Sequence, residues 1–355
     1  MNARVVITGS GTVTCQSVIK ALRSQSELSV EIITVDASDQ VAGRYFSDAF
    51  YRIPLASDPD YVPALLEVCR RHGADLLIPI VDYEFGPLSG ASERFEAIGC
   101  LVAIATPDVI ARANDKMQTF RFFRDHGFGT AETWSAGEAT TLAASLPYPV
   151  FLKPGLDGRS SLDCYQVDSK DDLLGYLDRV PNAIVQEFVD GPEFTADVLA
   201  DWQSRVLGVV VRERLETKGG VSYKGRTVDD PEMTAEVVRM VKELGFRGPA
   251  NIQAFRKPMA DGSSKLLFNE INPRFSGALA LTLAAGLNSP LMLTKLALNM
   301  PVESMVGATR VGVTMLRYWD EVFVGPDGAA EYPDYHLAPV AHASLDSLVE
   351  MVALA

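Results

Sequence analysis

Two segments, Asn251-Ile-Gln253-Ala-Phe255-Arg256 and Lys265-Leu-Leu-Phe268-Asn-Glu270-Ile-Asn272, alternate with a period of two, and Asp261-Gly262 lies between them. Period two marks a strand with two unlike faces, and Asp-Gly supplies the backbone freedom of a tight hairpin. A hairpin closing symmetrically about Asp261-Gly262 sets Gln253 opposite Glu270 and Asn251 opposite Asn272. Glu270 and Asn272 are two apart and share a face, so the pairing gathers a carboxylate and amide oxygens into one patch. Hard cations such as Mg2+ take such ligands, typically one or two carboxylates completed by substrate phosphates. A solvated sheet face carries similar residues, but the adjoining Pro273-Arg274 and Phe275-Ser276-Gly277 favour metal binding over a plain surface.

The start of the chain has another texture. Residues 3–8 are a β-branched run, followed by Gly9-Ser10-Gly11 and a helical pattern through Val18, Ile19 and Leu22. A second run, Val30 to Val35, ends in Asp36, and a third, Leu76 to Val81, follows the helix-like Tyr61–His72 and its Gly73 stop. Strands alternating with helices predict a parallel sheet covered on both faces. Gly9, Gly11 and Asp36 invite a dinucleotide reading, but Thr14 stands where the third glycine belongs. A Rossmann-like unit using that loop for another purpose is the expectation. Asp82 and Glu84 follow the third run, at the sheet end where ligands gather.

The 46 acidic and 32 basic residues leave a net charge of −14, which repels phosphate backbones and anionic headgroups. Neither nucleic acid nor a membrane is an expected partner. No apolar run approaches the ~20 residues that span a bilayer, and the chain opens on a strand-like run instead of a basic and apolar leader. Cys15, Cys69, Cys100 and Cys164 form no Cys-x-x-Cys pair, so a reducing cytoplasm is expected.

Several further points carry chemistry. Asn114-Asp115 offers a helix cap before Lys116, a cation on a first turn, where the helix dipole disfavours it unless an anion is near. Pro149 to Pro154 reads as a strand bearing Lys153 at its end, followed by the polar stretch Gly155 to Ser161, a pairing able to hold phosphates. Ala183 to Val189 reads as a strand, broken at Asp190-Gly191-Pro192 and resuming at Glu193 to Val198. Between Arg212 and Arg226 lies a basic stretch that is either a solvated loop or a mobile flap able to neutralise phosphate. His72 and His126 each precede a helix-ending glycine and suit a capping role. Arg317 is expected in a structural ion pair, and Leu345, Leu348, Val349 and Val352 form an amphipathic pattern.

The order of these pieces resembles the ATP-grasp superfamily, in particular single-unit proteins similar to one half of the carbamoyl phosphate synthase large subunit, with Phe268-Asn-Glu-Ile-Asn-Pro-Arg-Phe-Ser-Gly277 the most specific stretch. The resemblance implies an α/β and α+β fold. Residues 1–110 form a Rossmann-like pre-ATP-grasp domain. Residues 111–300 form the ATP-grasp domain, with a small nucleotide-clasping subdomain over about 115–188 and a larger catalytic one over about 189–300, and residues 301–355 form a C-terminal closing element. It further implies that Lys153 and Lys116 reach ATP phosphates, that Gly158, Ser160 and Ser161 close over them, that Glu187 and Val189 edge the adenine, and that Glu193 binds ribose. Gln253, Glu270 and Asn272 then hold Mg2+, with Mn2+ able to stand in. Arg274 stabilises the transferring phosphoryl group, and Lys218, Lys224 and Arg226 belong to the central catalytic loop.

The implied activity is an ATP-dependent carboxylate–amine ligase acting on small, amino-acid-like molecules through an acyl phosphate. The alternatives are chemistry closer to carbamoyl phosphate synthesis and a nucleotide-binding regulatory protein without turnover. Expected partners are small-molecule carboxylate and amine substrates, with a homodimer left open.

Overall fold

The β-branched runs at the start of the chain become parallel strands. In the computed structural model, which describes residues 2–156 and 162–331, β1 (Asn2–Ile7), β2 (Ser29–Asp36), β3 (Ala49–Arg52), β4 (Leu76–Ile78) and β5 (Leu101–Val102) form a sheet in the order β3-β2-β1-β4-β5. Both faces are buried. Val5, Ile7 and Ile32 pack with Cys15, Val18 and Leu22 of α1 (Val13–Arg23). Val6, Ile33 and Leu77 pack with Leu65, Val68 and Cys69 of α2 (Tyr61–His72) on the other side. Thr12 caps α1 by accepting from the Cys15 N–H, and α2 stops at Gly73, whose φ of 58° is a left-handed value that glycine adopts without cost.

The Gly9–Gly11 turn does not present Asp36 to a ribose. The Asp36 carboxylate accepts from Gly11 N at 2.9 Å and Ser38 N at 3.0 Å, so it is spent on its own loop. The chain then forms α3 (Asp82–Ser89), α4 (Ser92–Glu96), α5 (Pro107–Asn114) and α6 (Lys116–Asp125).

A four-stranded sheet follows, built from β6 (Thr133–Ser135), β7 (Val150–Pro154), β8 (Tyr165–Val167) and β9 (Ala183–Glu187) in the order β6-β9-β7-β8. Val150, Leu152 and Val185 turn one face into a core with Ala139 of α7 (Ala136–Leu142) and Leu173 of α8 (Lys170–Leu177). Period two sends Phe151, Lys153, Ile184 and Gln186 to the opposite face.

The Asp190-Gly191-Pro192 break carries the chain from this sheet into a second one. Its strands are β10 (Glu193–Ala200), β11 (Val206–Lys218), β12 (Val221–Thr227), β13 (Gly248–Pro258), β14 (Ser264–Asn272) and β15 (Thr314–Leu316), in the order β14-β13-β10-β11-β12-β15. One face, through Ala196, Val198, Val211 and Ile252, packs on Met233, Val237 and Met240 of α9 (Pro231–Leu244). The other face is polar around Glu193, Arg212 and Gln253 and apolar at Leu199 and Val210, which pack with Leu279 and Leu287. Helices α10 (Leu279–Ala284) and α11 (Ser289–Ala297) lie between β14 and β15 in the chain.

Register at the polar face follows the expected pairing, with Gln253 opposite Glu270 and Asn251 opposite Asn272. The route to it differs. Near the turn Pro258 faces Ser264 and Ala254 faces Phe268, one residue tighter than a closure symmetric about Asp261-Gly262, and a β-bulge at Asn269 restores the register.

The basic stretch from Arg212 to Arg226 is not an irregular loop. It is the β11–β12 hairpin, turning at Gly219 and Gly220, both at positive φ (55° and 75°). The chain divides into two units, Met1–Tyr318 and Trp319–Ala355, so β15 belongs to the first, antiparallel to β12. Residues 311–324 hold two short strands. In the second unit β16 (Phe323–Val324) pairs with β17 (Ala330–Glu331). Leu345, Leu348, Val349 and Val352 lie outside the described residues. Among the described residues no helix is long and apolar enough to cross a membrane.

Candidate active site

Strand alternation places Glu193 and Asp197 of β10, Arg212 and Arg214 of β11, Asn251 and Gln253 of β13, and Glu270 and Asn272 of β14 on one face of the six-stranded sheet. This face lines a cavity of about 640 Å3 that also takes in Lys153, Lys116, and Asp82 and Tyr83 from the start of α3.

The predicted oxygen donors come together there. Asn272 donates from Nδ2 to Glu270 Oε1 at 2.8 Å, and Gln253 sits opposite on β13. Burial pushes Glu270 up, but the Lys116 and Lys153 ammonium groups, the Asn272 N–H and the Arg274 guanidinium outweigh it and hold the carboxyl below its ordinary range. Among the described residues no group of three or more His, Cys, Asp or Glu side chains is placed to hold a metal. One carboxylate with amide oxygens still fits a hard cation whose remaining ligands are phosphate oxygens and water.

Lys153 is 4% exposed, and its ammonium donates to Gln186 Oε1 at 3.0 Å and to Asn269 Oδ1 at 2.8 Å. Burial, opposed by Glu270 and assisted by Lys116, pushes it down to about 8. Lys116 opens α6, where Asp115 caps the helix by accepting from Met117 N and Gln118 N, and the Lys116 N–H donates to Gly155 O at 2.9 Å. The anion that its first-turn position demands is Glu270, whose carboxyl feels its charge.

Arg274 donates from Nε to Asp82 Oδ1 at 2.7 Å and from Nη1 to Phe275 O at 3.2 Å. The Asp82 turn is itself fixed by buried Glu84, which accepts from Thr8 Oγ1 at 2.5 Å, Val81 N at 3.0 Å and Ile80 N at 3.2 Å. Burial raises Glu84 in spite of these bonds.

Glu193 is paired with Arg214 Nη1 at 2.9 Å, and burial raises its carboxyl while Arg214 opposes. Arg212, buried, donates to Asp197 at 2.9 Å and to Ser222 Oγ at 2.9 Å, and Thr282 Oγ1 donates to the same carboxylate at 2.6 Å. Arg212, Arg214, Gln186 and Asn269 escaped sequence reasoning. For the two arginines the signal was present, since alternation along β11 puts both on the face that carries Glu193.

Other predicted residues are not brought to the cavity. Lys218 and Lys224 pair with Glu216 at 3.7 Å and 2.6 Å, and Arg226 pairs with Glu213 at 2.8 Å; all three are at least 45% exposed and none lines the cavity. The hairpin pairs these cations with carboxylates on its outer surface. Glu187 is ion-paired with Lys257, and Val189 packs with Ala131 and Leu267; neither lines the cavity. Gly158, Ser160 and Ser161 lie outside the described residues. Arg317 makes no ion pair among the described residues and instead donates to the carbonyls of Ser222 and Gly277. His72 bridges Tyr51 at 2.9 Å and Glu31 at 3.2 Å instead of capping α2, whereas His126 hydrogen-bonds Phe122 O at 3.0 Å at the end of α6.

Residues 179–318 match the family model described as ATP-grasp in the biosynthetic pathway with Ter operon, and residues 5–103 match a PylC-like N-terminal domain. The carbamoyl phosphate synthase large chain of Xylella fastidiosa is 28% identical over 253 residues, 65% of this chain and 22% of that protein. A D-alanine–D-alanine ligase of Desulforudis audaxviator is 28% identical over 173 residues, 45% of this chain and 53% of that enzyme. This chain thus spans about a fifth of the synthase and half of the ligase. Among solved structures, the biotin carboxylase domain of Hydrogenobacter thermophilus 2-oxoglutarate carboxylase, in complex with MgADP, ADP and bicarbonate, has a TM-score of 0.70 at 16% identity, over 88% of this chain and 73% of that one. N5-carboxyaminoimidazole synthetase of Staphylococcus aureus, complexed with ADP, has a TM-score of 0.67 at 14% identity, over 87% and 80%. Residues 179–318 thus match an ATP-grasp family model behind a PylC-like N-terminal domain, and the chain is similar in sequence to the carbamoyl phosphate synthase large chain and to D-alanine–D-alanine ligase.

Proposed function

We propose that this chain is an ATP- and Mg2+-dependent ligase that joins a small-molecule carboxylate, amino-acid-like in size, to an amine, releasing ADP and phosphate. The observation that carries the reading is the gathering of Glu270, Asn272 and Gln253 on one sheet face with Lys153 and Lys116 beside them in one cavity.

In this reading residues 1–110 are the pre-ATP-grasp domain, the four-stranded sheet covers the nucleotide and the six-stranded sheet carries the catalytic face. Lys153 and Lys116 hold the terminal phosphates. Glu193 hydrogen-bonds the ribose. Glu270, Asn272 and Gln253 hold Mg2+, which when bound neutralises phosphate charge and orients the γ-phosphoryl group. Arg274, fixed by Asp82, faces the charge that develops on the transferring phosphoryl.

A carboxylate is a poor electrophile, which makes prior activation necessary. A substrate carboxylate oxygen attacks the γ-phosphorus, the bond to ADP breaks, and an acyl phosphate results. The lone pair of a neutral amine then attacks the acyl carbon, phosphate leaves with the bonding pair, and the amine proton passes to solvent.

The test is ADP release with mass detection of product across a panel of carboxylates and amines. Bicarbonate belongs in the panel, because it accompanies MgADP in the neighbouring biotin carboxylase structure. Amide product with stoichiometric ADP and phosphate is expected. Tight ATP binding without turnover over the whole panel would replace this reading with that of a nucleotide sensor.

A further inference from the structure

We propose that Gln186 and Asn269 are positioning residues that hold the Lys153 ammonium from both walls of the cleft with neutral oxygens, so that its whole positive charge remains available to a bound phosphate. The proposal rests on the nucleotide-binding reading above and adds to it two residues that neither the strand pattern nor the superfamily resemblance singled out.

The geometry is a directed chain. Thr133 Oγ1 donates to Ala131 O at 3.1 Å and accepts from Gln186 Nε2 at 2.9 Å. With its NH2 so engaged, Gln186 turns its carbonyl oxygen to Lys153 Nζ at 3.0 Å. On the other side Asn269 must also present oxygen, because an ammonium has only donors, and Oδ1 lies 2.8 Å from Nζ. Gln186 stands on β9 beside β7, while Asn269 belongs to β14 of the other sheet, so the lysine is tied to both.

Asn269 reaches that point only through the bulge. In an unbroken strand it would face away from Glu270. The extra residue between the Ala254–Phe268 and Gln253–Glu270 pairs lets Asn269 and Glu270 both line the cavity.

Neutral partners matter because of charge. A carboxylate at hydrogen-bond distance would pair with the ammonium in a poorly solvated site and cancel most of its field at a phosphate. Two amide oxygens satisfy two of the three N–H donors and orient the third without cancelling anything. Among the described residues Glu270 is the acid whose charge acts most on Lys153; it makes no hydrogen bond to the ammonium and is itself bonded to Asn272.

The test is equilibrium binding of MgATP by titration calorimetry to the full chain and to Asn269→Asp, Gln186→Glu and Lys153→Ala, and to each carboxylate variant combined with Lys153→Ala. The first two substitutions replace NH2 by O and keep shape. Each is expected to weaken MgATP by about tenfold or more when Lys153 is present and by less than about twofold when it is absent. Gln186→Glu, on the other sheet, controls for a new metal ligand beside Glu270. If both variants bind MgATP like the wild type, or weaken it equally with and without Lys153, the positioning role is wrong while nucleotide binding stands. If the wild-type chain binds no MgATP, the nucleotide reading falls first and this proposal with it.

Discussion

Asp82 and Arg274 lie 192 residues apart in the chain and share a hydrogen bond of 2.7 Å. One belongs to the helix that follows β4 in the N-terminal sheet, the other to the segment leaving β14, so the pair ties the N-terminal sheet to the polar face of the six-stranded sheet. The side chains are about a quarter exposed (22% and 24%), so the pair contributes only about 1 kcal/mol to stability. Its effect on geometry is larger, since it aims the guanidinium. Asp82→Asn is therefore expected to lower kcat about 10- to 100-fold while changing the MgATP dissociation constant less than about threefold. Steady-state ADP release alongside equilibrium binding checks both, and an unchanged kcat would remove Asp82 from the machinery.

The metal prediction follows from the single carboxylate of the donor set. With only Glu270 ionised among the three donors, Mg2+ or Mn2+ should bind the nucleotide-free protein weakly, with dissociation constants around the millimolar range, and tighten at least about tenfold when ADP or ATP supplies phosphate oxygens. Chelation should abolish turnover and leave the thermal midpoint nearly unchanged. Glu270→Ala and Lys153→Ala should each cut turnover by about a thousandfold with unfolding midpoints close to wild type. Tight metal binding without nucleotide would point to ligands other than these.

What was legible in the chain is what strand alternation and turn chemistry govern locally. Gln253 and Glu270 could be paired from Asp261-Gly262 and period two, and α2 could be bounded from Tyr61 to Gly73. The bulge at Asn269 was not legible, because it arises from a neighbour distant in sequence: Phe268 N donates to Gly129 O, and Thr130 Oγ1 donates to Phe268 O. The basic stretch misled for a different reason. A count of cations allowed a phosphate-neutralising flap, and the superfamily resemblance put Lys218, Lys224 and Arg226 in it, whereas the pairing of β11 with β12 sets them against Glu216 and Glu213 and turns Arg212 and Arg214 inward. Charge alone does not say which side of a ribbon a residue occupies.

Lys153 gives the pH prediction. Burial lowers it to about 8 in the folded protein, against 10.5 for an unperturbed lysine. MgATP affinity should fall as pH rises through about 8, approaching tenfold per unit, because the binding form is the protonated one. Stability responds with the opposite sign. Between about pH 8 and 10.5 the unfolded chain holds a proton at this lysine that the folded protein has lost, so the lysine's penalty on folding is relieved as pH rises across that window. Titration calorimetry and denaturant unfolding, each compared with Lys153→Ala, isolate the two effects. An affinity with no pH dependence between 7 and 9.5 would mean that Lys153 does not bear on the phosphates.

Gly129 tests the bulge without touching the cavity. A Cβ added there would stand 2.3 Å from Leu266 O, far inside contact distance, and the obstructing atom is backbone that cannot swing aside. The segment must then move off β14, loosening the Gly129–Phe268 hydrogen bond of 2.8 Å just before Asn269. Gly129→Ala should cost about 2 kcal/mol or more, which lowers the midpoint of a chain this long by roughly 3 °C or more. It should also weaken MgATP severalfold through Asn269 and Lys153. Gly137→Ala is the matched control: nothing lies within 4 Å of the added carbon, and the glycine is helical. Alanine there should be neutral or stabilise by about 0.5–1 kcal/mol, with MgATP affinity unchanged. Equal midpoints and equal affinities for the two variants would mean that the contact along β14 does not hold the bulge in place.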